Sequence, residues 1–181
     1  KRGDMKTLLK IGAILLITIM VGIVVLVGVI VVKSPGKTLP IDGENAISEL
    51  IQIELGGMKQ WVLIRGYNKN NPVLLILHGG PGSPELAMHR KYNSALEKHF
   101  TVVNWEQRGS CKSYNKDISK DTMHIPVFVS DARELVQYLK KRFNKDKIFL
   151  EGHSWGSAIG ALLVQQIPQD IKAYIAIGQA S

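Results

Sequence analysis

Ile148-Phe149-Leu150-Glu151-Gly152-His153-Ser154-Trp155-Gly156 decides how this chain is read. Ile148-Phe149-Leu150 is a short apolar run that reads as a strand, and Ser154 to Ile167 reads as a helix ended by Pro168. Gly-x-Ser-x-Gly lies between them, in the order strand, tight turn, helix. A serine at such a bend has neighbouring backbone very close to it. A side chain at Gly152 or Gly156 would crowd that turn. The bend pushes the hydroxyl out above the sheet edge, and the helix that starts there lends its positive end to developing negative charge. Ser154 is therefore the candidate nucleophile. The competing reading is a chance Gly-Ser-Gly loop. Ser157, Ala158, Gly160 and Ala161 are small enough to let the helix pack close to the strands.

Working outward, Val73 to Leu77 is a continuous apolar run, as expected for a strand buried on both faces. His78-Gly79-Gly80-Pro81-Gly82 interrupts it abruptly. Acyl transfer needs two preset N–H groups aimed at the developing oxyanion. Pro81 has no N–H, so Gly80 is the candidate donor, with the amide of Trp155 as its partner. Alone, this segment reads equally well as a plain Gly/Pro turn. Pro84 to His99 carries a short helix with Ser83 as its cap, and Thr101 to Trp105 reads as the next strand. Glu106 to Thr122 is a polar loop, and the default reading of the segment Trp105 to Ser113 is a solvated surface.

The flanks complete the pattern. Two β-rich runs around Gly56-Gly57 suggest a hairpin. Phe128, Ala132, Leu135, Val136, Leu139 and Phe143 recur at helical spacing within Pro126 to Phe143, and Lys140, Lys141 and Arg142 suit the end of that helix. Ile171 to Ile177 is a final strand. Strands alternating with helices argue for a largely parallel sheet covered on both faces.

Three segments now stand in order: His78-Gly79-Gly80-Pro81-Gly82, Glu106-Gln107-Arg108-Gly109 and Gly152-His153-Ser154-Trp155-Gly156. Together they resemble the proline iminopeptidase group of the α/β-hydrolases, over roughly residues 47–181. The resemblance implies an α/β-hydrolase fold, a Ser154 acyl-enzyme and release of an N-terminal residue, often proline, from a peptide. An esterase on the same scaffold and a catalytically dead, membrane-tethered binding module are the alternatives. The family pattern has Asp where this chain has Glu106, and a second Gly where it has Cys111. Glu106 keeps the charge, whereas Cys111 puts a Cβ where glycine is usual, with strain in the loop as the expected result. Cys111 has no evident base beside it and reads as a small packed or semi-exposed residue.

Ahead of this domain, Ile11 to Val32 carries no charge and no proline. At ~1.5 Å per residue it is long enough to cross a hydrocarbon core of roughly 30 Å. The reading is a basic cytoplasmic flank at 1–10, a single transmembrane anchor at 11–32, a linker at 33–46 and the hydrolase domain at 47–181. Lys1, Arg2, Lys6 and Lys10 precede the apolar run, against Lys33 and Lys37 after it, which places the N-terminus inside and the domain outside the cytoplasm. The chain of 181 residues has a net charge of +8, yet its Lys and Arg are mixed with Asp and Glu. No basic stripe interleaved with aromatics points to nucleic acid. The single cysteine excludes an intrachain disulfide. Neither metal nor organic cofactor is expected, and the expected ligand is a small molecule or short peptide.

A serine hydroxyl needs a base. His78, His89, His99, His124 and His153 all precede Ser154, and Asp170 is the one later acid, read as a solvated loop residue after a helix end. In this fold the acid and the histidine follow the serine. The usual triad is therefore not completed within these residues. The expectation is the N-terminal part of a longer hydrolase, ending before a helical cap and the last strands, inactive as it stands, with its last strand an uncovered edge.

Overall fold

The computed structural model describes residues 2–33, 38–83 and 85–180. They form two compact units, Lys1–Lys37 and Thr38–Ser181. The first is a single helix, α1 (Arg2–Lys33). Its segment Leu9–Ile30 spans 22 residues with a mean hydropathy of 3.2, long and apolar enough to cross a membrane. Within residues 11–30 the one polar side chain, Thr18, turns its hydroxyl back onto the Ile14 carbonyl at 2.9 Å.

The second unit is built on a six-stranded sheet. Its strands are β1 (Ile47–Leu55), β2 (Met58–Gly66), β3 (Val73–Leu77), β4 (Thr101–Glu106), β5 (Ile148–His153) and β6 (Ile171–Ile177). Their order across the sheet is β1-β2-β4-β3-β5-β6. The four strands β4, β3, β5 and β6 run parallel, and the β1–β2 hairpin adds to them antiparallel. The sheet is thus mixed, with its parallel half where the strand–helix alternation predicts it. Gly56 and Gly57 both have positive φ, 53° and 74°, and close the hairpin in a two-residue turn whose twist matches the strands.

Helices α3 (Ile125–Phe143) and α4 (Trp155–Gln166) pack on one face, where Leu75, Leu77, Val103, Trp105 and Leu150 meet Leu135, Leu139, Ile159 and Leu163 in the main core. The other face has a smaller cluster of Leu74, Ile76 and Val102 under Leu96, Phe100 and Phe149. The short helix α2 (Leu86–Tyr92) contributes no buried residue.

Several boundaries differ from the sequence expectation. The helix expected from Pro84 begins at Leu86, after Glu85, and has no side-chain cap, so Ser83 does not cap it; Pro84 lies outside the described residues. The segment 94–98 continues as a 3-10 turn. In the segment expected as a linker, residues 34–37 lie outside the described residues. Beyond them the chain is fastened: Arg65 Nη1 donates to Thr38 Oγ1, the Leu39 carbonyl and Ser48 Oγ at 2.6–2.7 Å. Asp170, expected in solvent, is 6% exposed, pairs with Lys140 and accepts from Gln137 Nε2 at 2.7 Å. Burial works to raise its pKa, but the hydrogen bonds from Lys140 and Gln137 outweigh it and hold the carboxyl below its ordinary value.

Candidate functional site

The site sits where the sheet changes direction. β4 and β5 lie on opposite sides of β3, so the chain leaves β3 one way and returns the other. A crevice forms beyond the carboxyl ends of parallel strands at such a point. All three sequence segments converge there: 78–82 after β3, 106–109 at the end of β4, and 152–156 across the end of β5.

Ser154 is the residue between β5 and α4, at φ 49° and ψ −115°, a conformation a non-glycine residue rarely adopts. Its N–H donates to the Ile177 carbonyl at 2.8 Å, and its carbonyl accepts from the N–H and hydroxyl of Ser157 at 2.9 and 2.5 Å. These bonds and the glycines beside it hold the strain. A Cβ on Gly152 would come within 2.6 Å of the Gly156 carbonyl oxygen. A Cβ on Gly156 would overlap the Leu77 carbonyl and stand 2.8 Å from that of His78. The bend therefore lies directly against the end of β3. Trp155 opens α4, at a position whose N–H has no acceptor within the helix.

The glycine-rich loop touches the same bend. Gly80 has φ 118°, and a Cβ there would meet the Gly82 and Ser83 amides at 2.6 Å. Gly82 also has positive φ, 81°, and the Gly80–Pro81 peptide is cis. At Gly79 a Cβ would stand 3.1 Å from His153 Nδ1 and 3.0 Å from Glu85 Oε1. The loop and the bend are thus side by side.

Gln107 ties them together. Its backbone N–H donates to His78 Nε2 at 3.2 Å, its Nε2 donates to the His78 carbonyl at 2.9 Å, and its Oε1 accepts from Trp155 Nε1 at 3.1 Å. Indole nitrogen only donates and a carbonyl only accepts, so the amide orientation is fixed. His78 Nε2 must then be the acceptor, and Nδ1 carries the proton toward the Gly79 carbonyl, 2.8 Å away. Burial lowers the His78 pKa and keeps this neutral form.

The start of the loop expected as solvated surface is instead packed inside, while Cys111, Lys112 and Tyr114 are exposed. Glu106, Gln107, Arg108, Ser110 and Ser113 are all buried. Arg108 makes a bidentate pair with Asp131 of α3, at 2.9 and 3.0 Å, and donates to the Gly56 carbonyl at 3.2 Å. Asp131 also accepts from Gln60 Nε2 at 2.6 Å, and Gln60 Oε1 takes the Trp105 indole N–H at 3.0 Å. Burial of a charge requires such partners, which a single-residue polarity reading overlooks. Asp131 carried a usable signal: it lies three residues after Phe128 and four before Leu135, on the apolar stripe of α3. Glu106 accepts from the Lys112 N–H at 3.3 Å, and Gly109 has φ 74°. Cys111 is exposed and has φ 39°, so the departure from glycine falls on a left-handed residue. Burial, then the Glu106 charge, raises its pKa, opposite to what a reactive thiol needs.

Two acids near the bend were not singled out from the sequence. Glu85 Oε1 stands 2.6 Å from His153 Nδ1 and 3.2 Å from the Gly79 N–H. Glu151, one residue before Gly152, is 7% exposed. A carboxylate inside the apolar strand Ile148–His153 was the available sign.

Residues 72–181 match the family described as the alpha/beta hydrolase fold. The chain is 42% identical over 136 residues to the probable aminopeptidase YbaC of Bacillus subtilis, covering 75% of this chain and 43% of that protein. It is 29% identical over 108 residues to a proline iminopeptidase of Heyndrickxia coagulans, covering 60% of this chain and 35% of that one. Among solved structures, a proline iminopeptidase-related protein of Thermus thermophilus superposes with a TM-score of 0.61 at 24% identity, over 72% of this chain and 44% of that chain. An epoxide hydrolase of Vigna radiata superposes with a TM-score of 0.57 at 25% identity, over 75% and 41% respectively. The chain thus spans less than half the length of these relatives. With the mixed sheet, the bend at Ser154 and the family match over its C-terminal portion, the chain belongs to the α/β-hydrolases.

Proposed function

We propose that this chain carries the nucleophile half of a serine hydrolase of the aminopeptidase class, acting through an acyl-enzyme on Ser154. The observation that supports it is the strained Ser154 backbone, at φ 49°, at the mouth of α4 and against the glycine-rich loop. In this reading the hydroxyl attacks the carbonyl carbon of the N-terminal residue. The negative charge moves to the carbonyl oxygen, where the Gly80 and Trp155 amides and the start of α4 stabilise it. Gln107 holds both donors in place by bonding His78 on one side and Trp155 on the other. The amine leaves with a proton, and water then releases the acyl group. A histidine base and its carboxylate partner complete the reaction in the full-length protein. The resemblance to proteins named aminopeptidase and proline iminopeptidase supports a peptide with a free amino terminus as the substrate class.

In the same reading α1 anchors the protein in a bilayer. Leu9–Ile30 supplies the span. The Lys and Arg excess before it puts the N-terminus in the cytoplasm and the hydrolase domain outside.

The test is turnover by the full-length protein of prolyl-2-naphthylamide against a short acyl ester. The amide is expected to be the better substrate, and Ser154→Ala to remove at least about 1000-fold of its kcat/KM. Ester hydrolysis without amide hydrolysis overturns the aminopeptidase assignment. Full activity in Ser154→Ala overturns the nucleophile.

A further inference from the structure

Glu85 stands at the N-cap of α2, where a side chain ordinarily accepts from the helix's own amides, yet it makes no such bond. Its carboxylate reaches across to the site instead. Oε1 accepts from the Gly79 N–H at 3.2 Å and lies 2.6 Å from His153 Nδ1. A carboxylate only accepts, so Nδ1 carries the proton in that contact. The other oxygen, Oε2, has His89 Nε2 at 3.7 Å, one turn along α2. One oxygen thus joins the glycine-rich loop, through Gly79, to the residue that precedes Ser154. The absence of a side chain at Gly79 leaves room for the join, since a Cβ there would press on both Glu85 Oε1 and His153 Nδ1.

The bonds around Gly79 show what the join does. Two successive peptide planes lead to the Gly80 amide. The first has the His78 carbonyl at one end, held by Gln107 Nε2 at 2.9 Å, and the Gly79 N–H at the other, held by Glu85. The second has the Gly79 carbonyl at one end, held by His78 Nδ1 at 2.8 Å and by the Ser83 N–H at 3.2 Å. Its other end is the Gly80 N–H, which among the described residues has no acceptor. A planar peptide fixes the direction of its N–H once its carbonyl is fixed. Glu85 is the one member of this set that arrives from α2, and the one that also grips the bend.

We infer that Glu85 is a positioning residue of the hydrolytic site, holding the glycine-rich loop against the bend so that the Gly80 amide is aimed before substrate arrives. The join itself rests on the geometry; its catalytic consequence rests on the reading of Ser154 and Gly80 above.

The experiment compares Glu85→Ala and Glu85→Gln in the full-length protein. α2 contributes no buried residue, so neither change opens the core. In Glu85→Ala, hydrogen exchange in the peptide 78–83 is expected to quicken at least about tenfold. Its kcat on prolyl-2-naphthylamide is expected to fall at least about tenfold with KM within about twofold, because an oxyanion donor acts in the transition state. Glu85→Gln keeps an acceptor oxygen for both partners and is expected to restore most of both. Wild-type exchange in Glu85→Ala overturns the join. Faster exchange with unchanged kcat, or a Gln variant no better than Ala, overturns the positioning role. Exchange needs no catalysis, so the join is decided even if the protein proves not to hydrolyse the amide, a failure that falls on the aminopeptidase reading instead.

Discussion

At the scale of single residues, the site depends on His78 staying neutral. Its Nε2 accepts the Gln107 N–H, and only the unprotonated nitrogen can do so. Burial lowers its pKa. The folded state therefore resists a proton that the unfolded chain accepts below about pH 6.5. The stability linked to His78 is complete above that pH and is lost as pH falls toward the lowered folded value. His78→Phe leaves the Gln107 amide without its acceptor and is expected to cost about 1–3 kcal/mol at pH 8. Urea unfolding at pH 8 and pH 5 checks this: the gap between wild type and variant narrows at the lower pH. A gap that is equal at both contradicts the neutral acceptor. The motif residues themselves were legible because each answers a steric demand. Gly152 and Gly156 stand where any side chain collides with backbone. Glu85 was not legible, because what distinguishes it is contact with His153, far away in sequence, whereas Glu151 had one sign, a carboxylate inside an apolar strand.

At the scale of elements, the strands and helices follow from apolar periodicity, and α3 begins and ends within a residue of its expected bounds. The start of the loop after β4 departs from a solvated surface because Arg108 pairs with Asp131 of α3 and Gln107 bonds His78 and Trp155. Arg108 and Asp131 join three elements: that loop, α3 and the hairpin turn at Gly56. Their burial makes the pair sensitive to losing one member. Asp131→Leu alone is expected to cost about 3–5 kcal/mol, since it strands the Arg108 charge. Arg108→Met together with Asp131→Leu is expected to cost less than Asp131→Leu alone. Thermal or urea unfolding of the three proteins measures this. A double variant that loses as much as the sum of the single ones contradicts a coupled pair.

At the scale of the whole molecule, two units are fused: an apolar helix and part of an α/β-hydrolase domain. If α1 anchors the protein, arginine at Leu16 and Val24 introduces about 2.5–3.5 kcal/mol of insertion penalty at each position near the span centre. The full-length protein is then expected in the carbonate-washed membrane fraction, and the Leu16→Arg/Val24→Arg variant outside it. Equal partitioning of the two contradicts the anchor. The sheet order was only partly legible: alternation of strands and helices predicts parallel pairing, but not that β3 would sit between β4 and β5. That placement creates the crevice in which the three segments meet. Whether Ser154 is the nucleophile is read by intact-mass and peptide mapping after reaction of the full-length protein with a fluorophosphonate. One adduct is expected, on Ser154, absent in Ser154→Ala. An adduct on another residue, or none on a folded protein that hydrolyses the amide, contradicts that role.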